Sequence, residues 1–386
     1  MKIRPKKLKP QYILQSAWDF FGRRPSNESD EPQHILSAEG EIIPYKDPPI
    51  TLYSFDENNY QEFQPTSLEE LYEILEREKQ SGTCWIDIEG RGNQKFIQSL
   101  GTHFNLHELE LEDIVNLHQR PKIEENNNHL FVISRMLYHC SKDSSLTNEQ
   151  VAFFIFEETL LTIQEENEDA FDPVRVKLRK NKSNIRKSTP FHLGWHLMDA
   201  IVDHYFPMLE TIGEKLDQIE SELFVHPEKR HLGEIQALKR EVFFLKKAIW
   251  AERDKISELS RSSFYQIEDQ TRLYLRDTYD HSIQIIDIIE SQKEISYSLM
   301  EVYLSSQNNK MSEVMKVLTV ISSIFIPLTF IVGIYGMNFS PTDDHGNAAP
   351  LNMPELYNAY GYPIVWGVMI GIAVIQIIYF KKKNWM

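Results

Sequence analysis

Two long uncharged apolar runs close this chain, and they constrain it more than any other feature. Val317–Met337 has 21 residues and Tyr362–Phe380 has 19, with no Asp, Glu, Lys or Arg in either. As helices rising about 1.5 Å per residue they measure about 31 and about 28 Å, close to the hydrocarbon thickness of a bilayer. Two adjacent runs of this kind at the end of a polar chain predict transmembrane helices rather than buried core helices. Lys310 and Lys316 precede the first run, and Lys381, Lys382 and Lys383 follow the second. No Lys or Arg lies between Val317 and Phe380. Positive residues stay on the cytoplasmic side, so both termini are expected in the cytoplasm and the 338–361 loop outside. That loop holds Asp343, Asp344 and Glu355. Tyr357, Tyr360, Tyr362 and Trp366 cluster where amphipathic rings favour the outer interface.

The rest of the chain is rich in charge, and the net formal charge of 386 residues is −16. Such acidity disfavours nucleic acid as a partner and suits cations; it also serves plain solubility. Cys84 and Cys140 stand far apart, in neither metal-ligand spacing nor a disulfide framework. The N-terminal stretch MKIRPKKLKPQYILQSAWDFF is basic without the apolar core of a signal peptide. The soluble portion is therefore expected in the cytoplasm.

No glycine lies between Gly233 and Gly333, and no proline between Pro227 and Pro327. A stretch this long without either breaker predicts one helix running into the membrane, about 97 Å from Thr271 to Tyr335. One stripe on it passes through Glu301, Leu304, Asn308, Met311/Ser312, Met315, Leu318, Ser322, Ile326, Thr329, Gly333 and Gly336. Steps of three and four keep this stripe on one face. Within the first run it carries Ser322, Thr329, Gly333 and Gly336, while Val317, Val320, Ile321, Phe325, Phe330, Ile331 and Ile334 fill the other faces. Small and polar residues in one line suit close packing or a wet pore; the alternative is that Ser and Thr bond back to their own helix carbonyls. Pro327 removes one backbone donor in mid-run and predicts a bend.

Upstream, strands are expected at 50–55, 84–89, 130–139, 151–157 and 159–165, and helices at 67–79, 93–104 and 107–115. Two long charged helices follow, at 192–224 and 229–262. The expected order is an N-terminal extension over 1–44, a mixed α/β domain over 45–180 and a helical layer over 190–265. Then come a stalk helix over 271–316, a first transmembrane helix over 317–337, the loop over 338–361, a second helix over 362–380 and a basic tail over 381–386. In class this is an α+β cytoplasmic domain joined to a stalk and two C-terminal spans. There is no glycine-rich phosphate loop, nucleophile elbow or His/Cys cluster. No enzyme and no organic cofactor are expected.

YGMNF at 335–339, MPEL at 353–356 and the closing KKKNWM carry a resemblance to the CorA family of magnesium channels. It extends upstream through MKVLT (315–319), IPLTFIVGIYGMNF (326–339), RDTYDHSIQIID (276–287) and LEDIVNLHQRPKIE (111–124). The resemblance implies a funnel-shaped homopentamer in the inner membrane that takes up Mg²⁺ and also Co²⁺. Five first spans would line the pore, so Asn308, Ser312, Met315, Leu318, Ser322, Ile326, Thr329 and Gly333 would face it. Gly336, Met337 and Asn338 would form the outer filter, with five Asn338 carbonyls meeting the hydrated ion. Glu355 and its loop would draw cations in. Asp113 and Asp277 match the family's regulatory positions, which hold an internal divalent ion across a subunit interface. Glu112, Asp199 and His281 are candidates for a second ion. No nearby Lys or Arg is expected to neutralise Asp113 or Asp277, save Arg276, which the helix directs elsewhere.

Two departures from the family pattern are Ser312, where Asn is usual and Asn308 one turn earlier is the substitute, and Ile326 at the hydrophobic gate, where Met is common. The stretch SPTDDHGNAA (340–349) is an addition to the outer loop. Two rival readings remain: a zinc or cobalt transporter of the same fold, and a membrane-anchored scaffold or sensor that conducts nothing. Met337 in the signature turn favours magnesium.

Overall fold

The computed structural model describes residues 47–385, except 81, 91, 117–118, 140–145, 166–169, 183–184, 265–266, 343–346 and 348–349, together with two short strands before them. Most of the 1–44 extension, Cys140, Asp343 and Asp344 lie outside the described residues. The chain divides into two units. One comprises residues up to Glu220 with Gly233–Tyr297, and the other Ser221–Leu232 with Ser298 onward.

In the first unit β1 (Ile35–Leu36) pairs with β2 (Ile42–Ile43). A seven-stranded sheet follows, from β3 (Ile50–Phe55), β4 (Tyr60–Phe63), β5 (Thr83–Glu89), β6 (Lys122–Glu125), β7 (Leu130–His139), β8 (Leu146–Ile155) and β9 (Thr159–Gln164). Its order is β4-β3-β5-β9-β8-β7-β6. The β5–β9 pair is parallel and its neighbours antiparallel. Alternation along β5 sends Cys84, Ile86 and Ile88 to one face and Trp85 and Asp87 to the other, as the two-residue period of a strand requires. The first face packs against α1 (Leu68–Glu78), α2 (Gln94–Phe104) and α3 (Glu108–Val115) through Leu71, Leu75, Phe96, Leu100 and Ile114. The other face meets α4 (Asp172–Arg179) and α5 (Pro190–Asp203), with Trp85, Phe153 and Phe171 in ring contact. Helices on both faces explain why β7 and β9 are buried along almost their whole length.

Thr189 caps α5 and Pro190 occupies its first turn, where a missing N–H costs nothing. The helix expected over 192–224 divides at His204 into α5 and α6 (Tyr205–Val225). Pro207 has no N–H for the carbonyl of Asp203, so the hydrogen-bond ladder breaks there. Asp203 thereby becomes the exposed last residue of α5. Then come α7 (Lys229–Arg261) and α8 (Asp269–Tyr335), which continues through Pro327 without interruption. In the second unit the distal part of α8 leads into a 3₁₀ turn at Pro354–Tyr357 and α9 (Gly361–Lys382).

Polar staples tie layers of the first unit together. Arg175 on α4 donates to buried Asp87 at 2.5 Å, and Thr162 and Gln164 donate to the same carboxylate at 2.7 and 2.8 Å. Burial pushes the Asp87 carboxyl upward, against the pull of Arg175 and these donors. Fully buried Glu252 and Lys255 pair on α7, and Glu252 accepts from the Arg135 N–H of β7 at 2.6 Å. Removing one partner strands a charge in a dry layer. Arg175→Met is expected to destabilise this unit by about 3–5 kcal/mol, read by chemical denaturation. The double variant with Asp87→Asn should recover part of that loss; no recovery would place the cost in packing instead.

Candidate functional site

In the second unit, α8 and α9 carry apolar windows of mean hydropathy 2.4 and 2.1, each only 6 % buried. A core helix would be covered; both helices instead have the length, apolar composition and exposure of membrane-spanning segments. On α8, Val320 is buried, and Ser323, Ile324, Pro327, Leu328 and Ile331 are half-buried. On α9 the covered positions are Gly361, Val365, Met369, Ile372, Ala373, Gln376 and Phe380. Steps of three and four on both helices are the pattern of two spans shielding one another. Asn308, Ser312, Met315, Leu318, Ile326, Thr329 and Gly333 are all exposed, and Ser322 is half-buried.

The Thr329 hydroxyl donates to the Phe325 carbonyl at 2.8 Å, and Thr319 to Met315 at 2.8 Å. The back-bonding alternative thus holds for the Thr329 proton. The hydroxyl oxygen keeps lone pairs free to accept. At the cytoplasmic end, Lys316 Nζ donates to the Asn384 carbonyl at 2.5 Å, and Trp385 stacks on Phe380. Asn308, Ser312 and Met315 line an open groove of about 750 Å³ together with Lys383 and Trp385.

The opposite end of α8 closes at Tyr335. Gly336 N–H reaches the Val332 carbonyl at 2.9 Å, and Met337 N–H the Ile334 carbonyl at 3.1 Å. A Cβ on Gly336 would stand 3.3 Å from the Val332 oxygen, so glycine keeps this ending tight. Met337 and Asn338 are exposed on the turn that follows. Glu355 accepts from the Tyr335 hydroxyl at 3.2 Å, which ties the 3₁₀ turn to the end of α8. Gly361 opens α9 where a Cβ would collide with the Glu355 carbonyl at 2.1 Å.

The first unit holds a separate cluster. Asp199 and Asp203, one turn apart on α5, meet His281 on α8, and one ligand atom from each lies within 4.8 Å of the others. His281 Nδ1 is 3.3 Å from Asp203 Oδ1, and Nε2 is 3.9 Å from Asp277. Burial raises the Asp199 carboxyl, while a hydrogen bond from Thr278 lowers it. Two carboxylates and an imidazole form a donor set for a divalent cation.

The CorA-like Mg²⁺ transporter protein family matches residues 80–382. The chain belongs to that family. The cobalt/magnesium transport protein CorA of Thermotoga maritima is 43% identical over 334 residues, covering 86% of this chain and 91% of that protein. The putative metal ion transporter YfjQ of Bacillus subtilis is 30% identical over 315 residues, 81% of this chain and 93% of its own. The complete structure of the CorA magnesium transporter from Methanocaldococcus jannaschii matches with a TM-score of 0.73 at 22% identity, over 87% of this chain and 98% of that one. At that identity the likeness shows the shared fold. Membership of the CorA-like family makes this chain a membrane protein that moves Mg²⁺, not an enzyme.

Several expected site residues meet and others do not. Asp199 and His281 come together, and Asp203 joins them. Its signal was the Asp199–Asp203 spacing, which repeats the one-turn step of Asp277 and His281. Glu112 is exposed on α3. Asp277 is exposed and faces His281, whereas Asp113 is buried on α3. The expectation that no cation neutralises Asp113 is wrong: Lys122 Nζ lies 2.5 Å from Asp113 and 2.5 Å from Glu124. Partial burial pulls the Lys122 ammonium downward, yet these two carboxylates hold it above the usual lysine range. Strand β6 brings Lys122 across nine positions to α3, a contact that a reading of near neighbours misses. If the exposed stripe is wet, cysteines at Ser322, Thr329 and Gly333 should react with a water-soluble thiol reagent. Cysteines at Ile324 and Ile331 should not; equal labelling of both sets would argue against a water-lined face.

Proposed function

We propose that five copies of this chain assemble into a channel that admits Mg²⁺, and also Co²⁺, into the cytoplasm and closes when internal Mg²⁺ is high. The observation that carries this reading is the exposed stripe from Asn308 to Gly333, which leads along α8 to the Gly336–Met337–Asn338 turn. In a homopentamer that stripe faces a common axis, with both termini in the cytoplasm. Lipid faces the remaining sides of α8 and α9.

At the outer end, five Asn338 carbonyls accept hydrogen bonds from the water shell that Mg²⁺ gives up reluctantly. Neutral carbonyls hold the hydrated ion without trapping it, as five carboxylates would. Glu355 supplies negative charge beside the turn through the oxygen that Tyr335 leaves free. The membrane potential drives a divalent ion inward with about 4.6 kcal/mol per 100 mV. Leu318 and Ile326 form apolar constrictions, and Ser312 and Asn308 the cytoplasmic mouth.

Regulation uses the carboxylates of the first unit. An ion held by Asp199, Asp203 and His281, and another between Asp277 of one subunit and Asp113 of the next, relieves carboxylate repulsion in the closed assembly. Hard carboxylates suit Mg²⁺, while the imidazole favours Co²⁺. Lys122 already compensates Asp113, so a cation competes with an ammonium there.

Asn338→Ala is expected to abolish Mg²⁺ uptake into proteoliposomes while the assembly elutes at its parental size. Parental uptake by this variant would remove Asn338 from the filter. Lys122→Gln should lower the Mg²⁺ concentration that protects the cytoplasmic unit from limited proteolysis by roughly 3- to 10-fold, since about 1 kcal/mol of competing charge is removed. An unchanged or raised midpoint would leave Asp113 a structural residue only.

A further inference from the structure

Beside the Asp199–Asp203–His281 cluster lies a hydroxyl that the transport reading does not use. Thr278 is 1% exposed on α8, one residue past Asp277. Its Oγ1 is 2.9 Å from Trp195 Nε1 and 2.6 Å from Asp199 Oδ1, with the Tyr274 carbonyl a turn back at 3.2 Å. An indole N–H only donates, so Thr278 accepts from Trp195. Its own single proton then has two acceptors to choose from. Asp199 is both the nearer and the ionisable one, and a charged acceptor makes the shorter and stronger bond. Trp195 is itself anchored: it is 5% exposed and stacks on Tyr274 with ring centroids 4.7 Å apart. A directed relay therefore runs from Trp195 through Thr278 to Asp199.

We propose that Thr278 is the positioning residue of the cation site, orienting the Asp199 carboxylate for a divalent ion and linking that ion to Trp195. The proposal rests on reading the Asp199–Asp203–His281 cluster as a cation site. The terminal torsion of an aspartate is soft, so a half-buried Asp199 with no donor would rotate. The Thr278 bond occupies one lone pair of Oδ1 and leaves the carboxylate's remaining lone pairs for the ion. Hydrogen-bond partners of metal-ligating carboxylates fix orientation in this way, and losing one weakens binding about 10- to 100-fold. An ion that draws electron density from Asp199 also weakens its hold on the Thr278 proton. The Tyr274 carbonyl offers that proton a second acceptor, and the change reaches the Trp195 N–H bond.

The experiment uses the full-length protein in detergent. Co²⁺ affinity is read from the visible absorption band of the bound ion, with Asp199→Asn and His281→Ala as the variants that report whether the band belongs to this cluster. The emission change of Trp195 on adding Mg²⁺ is isolated by subtracting the Trp195→Phe variant, because the chain has 6 tryptophans. Thr278→Val is expected to weaken Co²⁺ at this band 10- to 100-fold and to erase the Trp195 emission change. Thr278→Ser should restore both. Trp195→Phe keeps the hydroxyl and should bind Co²⁺ within about three-fold of the parent. If Thr278→Val does not assemble, Thr278→Cys, close in volume and a weaker donor, should show the same losses. Parental Co²⁺ affinity in Thr278→Val or Thr278→Cys overturns the positioning role, and so does an equal collapse of affinity in Trp195→Phe and Thr278→Val. Parental Co²⁺ binding in both Asp199→Asn and His281→Ala sinks the cation site itself, a different outcome from failure at Thr278 alone.

Discussion

Inside a bilayer a helix finds hydrogen-bond partners for its backbone only within itself or its protein neighbours. That constraint governs the distal part of α8. The helix runs continuously to Tyr335, and its ladder lacks one donor within the span, at Pro327. Thr319 and Thr329 satisfy their hydroxyls on carbonyls of their own helix. Where the ladder ends, Gly336 leaves room around the last carbonyls, and the turn that follows exposes Met337 and Asn338. The signature turn is thus a consequence of how such a helix can stop.

The buried and clustered carboxylates of the first unit follow a different rule. Carboxylates that are brought together and partly desolvated need a countercharge. The fold answers in three ways. Asp87 receives Arg175 and two neutral donors inside the sheet layer. Asp113 receives Lys122 at the edge strand β6. Asp199 and Asp203 receive His281, an imidazole rather than a permanent cation. Fixed guanidinium and ammonium partners make stable staples. A carboxylate pair completed by imidazole has ligand capacity left for an exchangeable ion, the capacity that the proposed regulatory site needs.

The helical break at His204 connects these features. Pro207 interrupts the ladder, which leaves Asp203 as the last residue of α5 and within reach of α8. Thr278 and Trp195 lock the same two helices one turn earlier. The carboxylate pair is therefore built on rigid elements, and its approach to His281 is set by helix packing and not by a loop.

Much of this molecule is legible in its residues. The two spans, the long helix, the Gly-Met-Asn turn and the five central strands follow from charge, periodicity and the lack of breakers, because burial in lipid or between helical layers leaves an unmistakable apolar pattern. The short edge strands Tyr60–Phe63 and Lys122–Glu125 carry no such pattern, since an edge strand faces water on one side. The polar first half of β8 and the helix Asp172–Arg179 are hidden for another reason: their buried positions include Glu149, Gln150 and Arg175, polar side chains that are satisfied by partners distant in sequence. Asp199 and His281 could be singled out, but their meeting with Asp203, the Lys122 countercharge on Asp113 and the Thr278 hydroxyl under Asp199 could not. Residue type and spacing decide what a helix or strand buries along its own length. Which charge neutralises which carboxylate depends on side chains distant in sequence, and only packing the elements together brings those within 3 Å.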